Sequence, residues 1–148
     1  MKGLSGNSNS LCRYLGWEFG FMGNSNWEIG KIDETTENIK DMNELTGKLF
    51  FHKDGDTKAE LQKKAEDMVA KTLKWLDSQL RENGTHGFLV GKNLSVADIT
   101  SYNALSCLIE NGFASSVEGY PVLKAHTDRI SNIPAIKRWV NSRPKTPF

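Results

Sequence analysis

The sequence is short of cysteine, of long apolar runs and of net charge, and each shortage excludes a class of protein. Its two cysteines, Cys12 and Cys107, lie among apolar residues in helical patterns, which is typical of a reduced compartment rather than of a disulfide-stapled secreted domain. No apolar run approaches the roughly eighteen residues of a membrane span, and the opening residues lack the basic-then-apolar order of a signal peptide. With 19 basic and 18 acidic residues, the overall charge predicts no nucleic-acid partner. We therefore expect a cytoplasmic protein that binds neither membrane nor nucleic acid.

The most informative stretch is residues 91–99, which predicts the start of a helix in two independent ways. Ser95 and Asp98 have the spacing of an N-terminal capping box, in which each side chain accepts a hydrogen bond from the other residue's backbone N–H. Leu94 and Ile99 occupy the positions of a hydrophobic staple, which sets the angle at which the chain enters the helix. These four residues are predicted to have structural roles.

The residues after this start are apolar around most of the helix circumference, which is the pattern of a helix buried in the middle of a bundle. We expect this central helix to run from Ser95 to Asn111 and to end at Gly112. The segment 85–91 is too short to build a sheet and is predicted to be an extended link. Start signals elsewhere predict five further helices, which begin at Ser8, at the capping box Ser25 to Glu28, at Thr57, at Pro121 and at Pro134. The chain is therefore predicted to be an all-α bundle of about six helices around one buried helix.

Several stretches together resemble the helical C-terminal domain of cytosolic glutathione S-transferases. The sigma class, with its prostaglandin D synthases and the related S-crystallins, is the nearest fit. The resemblance covers nearly everything after Gly6, and the motifs occur in the family's order and at the family's separations. The stretches that carry it are SNSLCRYLG at 8–16, GKNLSVADI at 91–99, YPVL at 120–123 and IPAIKRWVNSRP at 133–144.

The resemblance implies that residues 1–23 hold the last helix of a thioredoxin-like domain and that residues 24–148 form the helical domain. In the family, the thioredoxin-like domain holds glutathione and supplies the hydroxyl that activates its thiol. No residue of this sequence matches that hydroxyl, so we assign no catalytic residue. The tyrosines Tyr14, Tyr102 and Tyr120 are interpreted as packing residues.

Three residues match positions of the family's glutathione site. Ser8 matches the serine that receives the γ-glutamyl carboxylate at a helix N-terminus, which is a physically sensible anion site. Asn7 stands where the family usually has Gln or Glu. Asp41 matches the carboxylate that reaches the ammonium group of the glutathione bound by the other subunit of a dimer. The alternatives are that Ser8 is a plain N-cap and that Asp41 is a solvated helix residue.

The resemblance also implies a pocket for the second, electrophilic substrate. Its predicted lining residues are Asn43, Thr100, Asn103 and the tail near Phe148. Because three of these are polar, a strongly apolar electrophile is not the expected substrate.

We predict no metal site. The prostaglandin D synthases bind a divalent ion between carboxylates of paired subunits, and Glu37 and Asp41 match two of those positions. Lys40 occupies a third, where its positive charge would repel a cation. The polar turn at 52–56 also matches no metal-binding loop.

Two functions remain open. In the first, the chain belongs to a glutathione transferase whose complete form conjugates glutathione thiolate to electrophilic small molecules, with glutathione as co-substrate and no metal. In the second, the helical domain is a non-catalytic binding, dimerisation or crystallin-like structural module. Either way, the apolar surface that would face a thioredoxin-like domain predicts a weak homodimer.

Overall fold

The computed structural model describes residues 6–52, 57–113 and 117–144, and the side chain of Phe113 is left out of the description. These residues form six α-helices and no strand, so the predicted all-α class is confirmed. None of the described helices is both long and apolar enough to cross a membrane. Residues 53–56 of the turn predicted at 52–56, and Phe148, lie outside the described residues. The helices are α1 (Ser8–Glu18), α2 (Asn26–Phe50), α3 (Lys58–Glu82), α4 (Val96–Leu108), α5 (Pro121–Ser131) and α6 (Pro134–Ser142).

The long helices α2 and α3 form the framework of the bundle. Each has 25 residues and so spans about 37 Å at a rise of ~1.5 Å per residue. They pack against each other, and α2 also packs on α4. Their apolar residues recur at spacings of three and four, which places them on one face of each helix. The fully buried members of this core include Ile32 and Met42 of α2, Leu73 and Leu76 of α3, and Leu105 of α4.

Helix α4 is the central helix of the described fold, as its apolar circumference predicts. It contacts α1, α2 and α5. The side chains of Ala97, Asp98, Ser101 and Leu105 are at most 1% exposed, so polar as well as apolar groups lie in the interior. Its N-terminus contains the capping box between Ser95 and Asp98.

The predicted end of the central helix is wrong by three residues, because the regular α-helix stops at Leu108. Residues Ile109–Phe113 form a wider π-type turn in which Gly112 takes the left-handed conformation, with φ 95°. The side-chain amide of Asn111 donates to the carbonyl of Cys107 at 2.7 Å. Gly112 therefore marks where the chain leaves the helix. The wider turn before it contains Asn111, whose side-chain amide satisfies a carbonyl of the last helical turn.

The predicted cap of α1 is also wrong by one residue. Asn7, not Ser8, is the N-cap, and its side-chain oxygen accepts from the backbone N–H of Ser10 at 3.1 Å. Ser8 is the first residue of the helix. Asn and Ser are equally good N-caps, so the sequence alone did not distinguish the two neighbours.

The starts of α2 and α3 differ from their predicted caps in detail. Ser25 accepts from the N–H of Glu28 at 3.2 Å, but the Glu28 carboxylate accepts from the N–H of Asn24 instead of that of Ser25. Thr57 makes no side-chain capping bond in α3, because its hydroxyl lies 3.1 Å from the Nε2 of His52.

The link between α3 and α4 is not extended as predicted. It begins with a 3₁₀ turn, Gly84–His86, and passes through three glycines with positive φ. At Gly87 the guanidinium of Arg129 lies only 1.5 Å from where a Cβ would be. The same guanidinium donates to the carbonyl of His86 at 3.0 Å. Glycine at 87 therefore allows α5 to hold the turn against the bundle, which leaves Leu89 buried beneath it.

Candidate functional site

A cavity of about 770 Å³ opens between α1, α2, α4 and α6. The first three helices contribute mainly polar and small groups, whereas α6 contributes an apolar stripe. The cavity is large enough for a small molecule. Its lining includes Ser8, Asn9 and Cys12 of α1; Ile39, Lys40, Asn43 and Glu44 of α2; Ile99, Thr100, Tyr102, Asn103 and Ser106 of α4; and Ile136, Trp139 and Val140 of α6 with the following Arg143.

Three of the residues assigned to a second-substrate pocket line this one cavity. Asn43 projects from α2, whereas Thr100 and Asn103 project from α4. The Thr100 hydroxyl donates to the carbonyl of Val96 at 2.9 Å, so this hydroxyl is already hydrogen-bonded within its own helix. The side-chain amides of Asn43 and Asn103 have no hydrogen-bond partner among the described residues, and they are the groups that a ligand could use.

The residues assigned to glutathione are divided between two places. Ser8 lines the 770 Å³ cavity at the N-terminus of α1, and Asn7 caps that helix beside it. Asp41 lies in a separate groove of about 520 Å³ between α2 and α3, whose lining also includes Lys71 and Trp75. Within one chain, Asp41 is therefore not part of the cavity that contains Ser8.

An ion-pair network at the edge of the cavity ties α1 to α2. Arg13 pairs with Asp33 and with Glu37, and Asn9 donates to Glu37 at 3.0 Å. The hydrogen bond from Asn9, followed by that from Arg13, lowers the pKa of Glu37, and the hydrogen bond to Asp33 raises the pKa of Arg13. Lys40 lies 3.5 Å from the other side of Glu37.

Sequence reasoning did not find this network. The contacts join residues 20 to 28 positions apart, so no helical spacing relates them. Because Glu37 is engaged by Asn9, Arg13 and Lys40, its carboxylate is not arranged as an open metal ligand. Within the described ranges, His, Cys, Asp and Glu side chains form no cluster of three that could hold a metal ion.

A second polar cluster is buried where α4 meets α5. The Asp98 carboxylate accepts from four donors: the backbone N–H and hydroxyl of Ser95, the N–H of Leu89, and Nε2 of His126, all at 2.8 or 2.9 Å. Asp98 and His126 are at most 2% exposed. His126 was not predicted, although it lies between Leu123 and Ile130 on the inward face of α5, where helical spacing could have revealed it.

Together the described residues define an all-α domain with a capped, buried central helix and a ligand-sized cavity between helices. Residues 40–143 match the family described as "Glutathione S-transferase, C-terminal domain". The chain belongs to the glutathione S-transferase family and contains its C-terminal helical domain.

Two curated relatives illustrate the range of the family. Glutathione S-transferase 1 of Ascaris suum is 30% identical over 145 residues, which cover 95% of this chain and 69% of the relative. S-crystallin SL11 of Nototodarus sloanii is 28% identical over 142 residues, with the same coverage of both chains. The chain therefore spans about two thirds of the length of either relative.

A solved structure agrees with the fold. The monomeric Na-GST-3, a glutathione S-transferase of Necator americanus, superposes with a TM-score of 0.83 at 27% identity. The superposition covers 96% of this chain and 70% of that one.

Proposed function

We propose that this chain supplies the helical half of a glutathione transferase, and that its cavity holds the electrophile while glutathione thiolate attacks an electrophilic carbon or a peroxide. The observation that carries this proposal is the joint lining of one cavity by Ser8, Asn43, Thr100 and Asn103, which come from three helices. Family membership supports the assignment. A sigma-like class and a role in detoxification belong to the same proposal.

The N-terminus of α1 is proposed to receive the γ-glutamyl carboxylate of glutathione. The side chain of Asn7 accepts from the N–H of Ser10. The N–H groups of Ser8 and Asn9 remain at the end of the helix for a bound anion. The Ser8 hydroxyl has no hydrogen-bond partner among the described residues, and this end of the helix favours an anion. The capping role of Asn7 therefore complements the proposed role of Ser8.

Activation of the thiol is proposed to come from a thioredoxin-like domain, whose last helix we assign to residues 1–23. A free thiol has a pKa near ~8.5, so a donor that stabilises the thiolate is required for efficient attack at neutral pH. Tyr102 is the one described tyrosine that lines the cavity. The corresponding test is a Tyr102→Phe variant, which we expect to conjugate as the parent chain does.

We propose a weak homodimer in a reduced, cytoplasmic compartment. Leu11 and Leu15 of α1, and Phe19 at its C-cap, are large apolar side chains that are 42–66% exposed. Asp41 lies outside the cavity of its own chain, so it could serve glutathione only across such a dimer. Cys12 and Cys107 are free, as expected in a reduced compartment.

The second candidate is a non-catalytic structural or binding module. The similarity to an S-crystallin and the exposed apolar face of α1 favour it. It predicts stable association with a protein and no affinity for glutathione conjugates.

Calorimetric titration with S-(p-nitrobenzyl)glutathione separates the two candidates, because this conjugate fills the glutathione and electrophile positions together. We expect binding that Asn103→Leu weakens by about tenfold, since one side-chain amide of the lining is lost. Asn38→Leu, which changes the same residue type in the separate α2–α3 groove, is expected to leave binding intact. Absence of binding to the parent chain would contradict the transferase proposal, and turnover of glutathione with 1-chloro-2,4-dinitrobenzene would show activity without a further domain.

A further inference from the structure

The tripeptide Glu-Asn-Gly occurs twice in the chain, at 82–84 and at 110–112. An asparagine before a glycine is prone to lose its side-chain amide, because glycine has no Cβ to hinder the approach of its backbone nitrogen to the asparagine side chain. The residues that adjoin the asparagine are the same at both places, so local sequence gives Asn83 and Asn111 the same intrinsic reactivity. A difference between them in the folded chain therefore reports a difference in structure.

The side chain of Asn83 is tied to the link between α3 and α4 by two hydrogen bonds. Its amide nitrogen donates to the carbonyl of Phe88 at 2.9 Å and to that of Gly91 at 2.7 Å. The turn that these bonds close is held in addition by Arg129 of α5, which donates to the carbonyl of His86 at 3.0 Å. Loss of the Asn83 amide therefore requires this link to open first.

The side chain of Asn111 is held by a single hydrogen bond among the described residues. Its amide nitrogen donates to the carbonyl of Cys107 at 2.7 Å. Asn111 and Gly112 have left the helical backbone conformation, with φ of −102° and 95°. Gly112 is exposed, and a Cβ built on it would have no atom within 4 Å, so the space around it is open. Of the two asparagines, Asn111 is thus the less constrained.

Asn111 lies at the end of the central helix that is remote from the contacts of this helix with α1 and the segment after it. Those contacts are at the start of α4, where the N–H of Val96 donates to the carbonyl of Phe21 at 2.9 Å and the Val96 side chain lies against Gly16. Helix α4 has 13 residues, so its two ends are about 20 Å apart. The surroundings of Asn111 are therefore provided by the helical domain.

We propose that Asn111 is a site of spontaneous deamidation in the folded chain, with Gly112 as the internal nucleophile. The backbone nitrogen of Gly112 attacks Cγ of Asn111 and forms a C–N bond. The side-chain nitrogen leaves as ammonia and takes up the proton that the Gly112 amide gives up. One water molecule then opens the resulting succinimide at either of its carbonyls, which yields aspartate or isoaspartate. This modification goes beyond the proposed transferase function and does not depend on it.

The product carries a new carboxylate at the C-terminal end of the central helix. A carboxylate cannot donate to the carbonyl of Cys107, and its charge lies at the helix end that already carries partial negative charge. The same residue lines a groove of about 300 Å³ together with Asn43, Asn103 and Cys107, so this groove gains a charge. Deamidation therefore loosens the end of the central helix as the protein ages.

The test follows both asparagines in the full chain at mildly alkaline pH, with peptide mass spectrometry to quantify the loss of each amide. In the folded chain we expect loss at Asn111 to be at least about fivefold faster than at Asn83, because Asn83 has one more hydrogen bond to break. In the urea-denatured chain the two rates should agree within about twofold, because the structural difference is removed.

Three variants assign the modification and its effect. Asn111→Gln lengthens the side chain, which disfavours ring closure, and should abolish the acidic species that the parent chain accumulates on ion exchange. Asn38→Gln, in the interior of α2, is the matched control and should leave that species unchanged. Asn111→Asp, which reproduces one product, should lower the midpoint of thermal unfolding by about 3–5 °C.

The inference would be overturned by loss at Asn83 that equals or exceeds loss at Asn111 in the folded chain. It would also be overturned if Asn111 stayed intact over a time in which the denatured chain is largely converted. An Asn111→Asp variant as stable as the parent would contradict the loosening of the helix end. None of these results depends on glutathione, so the transferase proposal is tested separately.

Discussion

The Nε2 of His126 donates to the Asp98 carboxylate across 2.9 Å, inside the contact between α5 and α4, and both side chains are almost completely excluded from solvent. The pair anchors the capping box, because the same carboxylate receives the N–H and the hydroxyl of Ser95. We expect His126→Leu to lower the free energy of unfolding by about 2–4 kcal/mol, since it removes one donor from a buried carboxylate. Urea denaturation measures the change. His86→Leu, at an exposed histidine, is the control and should cost less than about 0.5 kcal/mol; equal effects of the two variants would contradict the anchoring role.

Gly84 and Gly87 have nearly the same backbone conformation, so substitutions at the two positions separate the free-energy cost of backbone strain from that of a steric clash. Gly84 and Gly87 have φ of 75° and 73°, but a Cβ at Gly84 would have no atom within 4 Å, whereas at Gly87 it would meet the guanidinium of Arg129. We expect Gly84→Ala to cost about 1 kcal/mol from the backbone alone. Gly87→Ala should cost at least another ~1 kcal/mol, because Arg129 loses its position and its bond to the His86 carbonyl. Thermal denaturation of both variants gives the comparison, and equal losses would show that Arg129 moves aside freely.

The network of Glu37 predicts a small dependence of stability on pH. The hydrogen bonds from Asn9 and Arg13 lower the pKa of this carboxyl in the folded chain. Its contribution is therefore fully present above the unfolded value of ~4.3 and is lost as the pH falls through the lower folded pKa. Because the Glu37 side chain is 42% exposed, solvent screening keeps the contribution below about 1 kcal/mol.

The measurement is urea unfolding of the parent chain and of Glu37→Gln between about pH 6 and pH 3. The difference in stability should shrink as the pH falls, and added salt should reduce it at pH 6. Glu18→Gln is the control, because Glu18 has no ion-pair partner among the described residues. A difference that stays constant with pH would mean that the charge of Glu37 does not stabilise the fold.

Association of the chain should depend on the exposed face of α1. Leu15 is 42% and Phe19 66% exposed, and each is a large apolar side chain that the described residues cover only in part. We expect a Leu15→Ser, Phe19→Ser double variant to weaken self-association by about tenfold, because a few apolar contacts at the centre of an interface contribute most of its binding free energy. Sedimentation equilibrium measures this, with Trp27→Ser as an exposed aromatic control away from α1. A parent chain that stays monomeric at high concentration would contradict the proposed weak dimer.

Local rules predicted the parts of the fold that depend on neighbouring residues. Ser95 and Asp98 form their box because they lie three positions apart, and the apolar circumference of α4 correctly indicated burial. The same rules were wrong where two local structures are nearly equal in free energy. Asn7, not Ser8, is the N-cap of α1. A wide turn that contains Asn111 ends the central helix, where a simple stop at glycine was predicted. These alternatives differ by tenths of a kcal/mol, which a pattern does not resolve.

The site was harder to predict than the helices, because it depends on contacts between elements. The family resemblance named Asn43, Thr100 and Asn103, which do line one cavity. The partners Arg13 and Glu37, and the pair Asp98 and His126, are separated by 24 and 28 residues, so no sequence period relates them. Trp139 was identified as apolar, but only the packing of α6 shows that its ring remains uncovered.

That packing also has a consequence for the motion of the domain. A helix of nine residues with none buried is held mainly by its short connection to α5 and by the rim of the cavity, so its amide protons should exchange with solvent sooner than those of α4. A ligand that covers Ile136, Trp139 and Val140 adds the missing contacts and slows that exchange. Hydrogen–deuterium exchange across residues 134–142 would then report occupancy of the cavity directly, and α6 would be the part of the bundle whose order is completed by the molecule it binds.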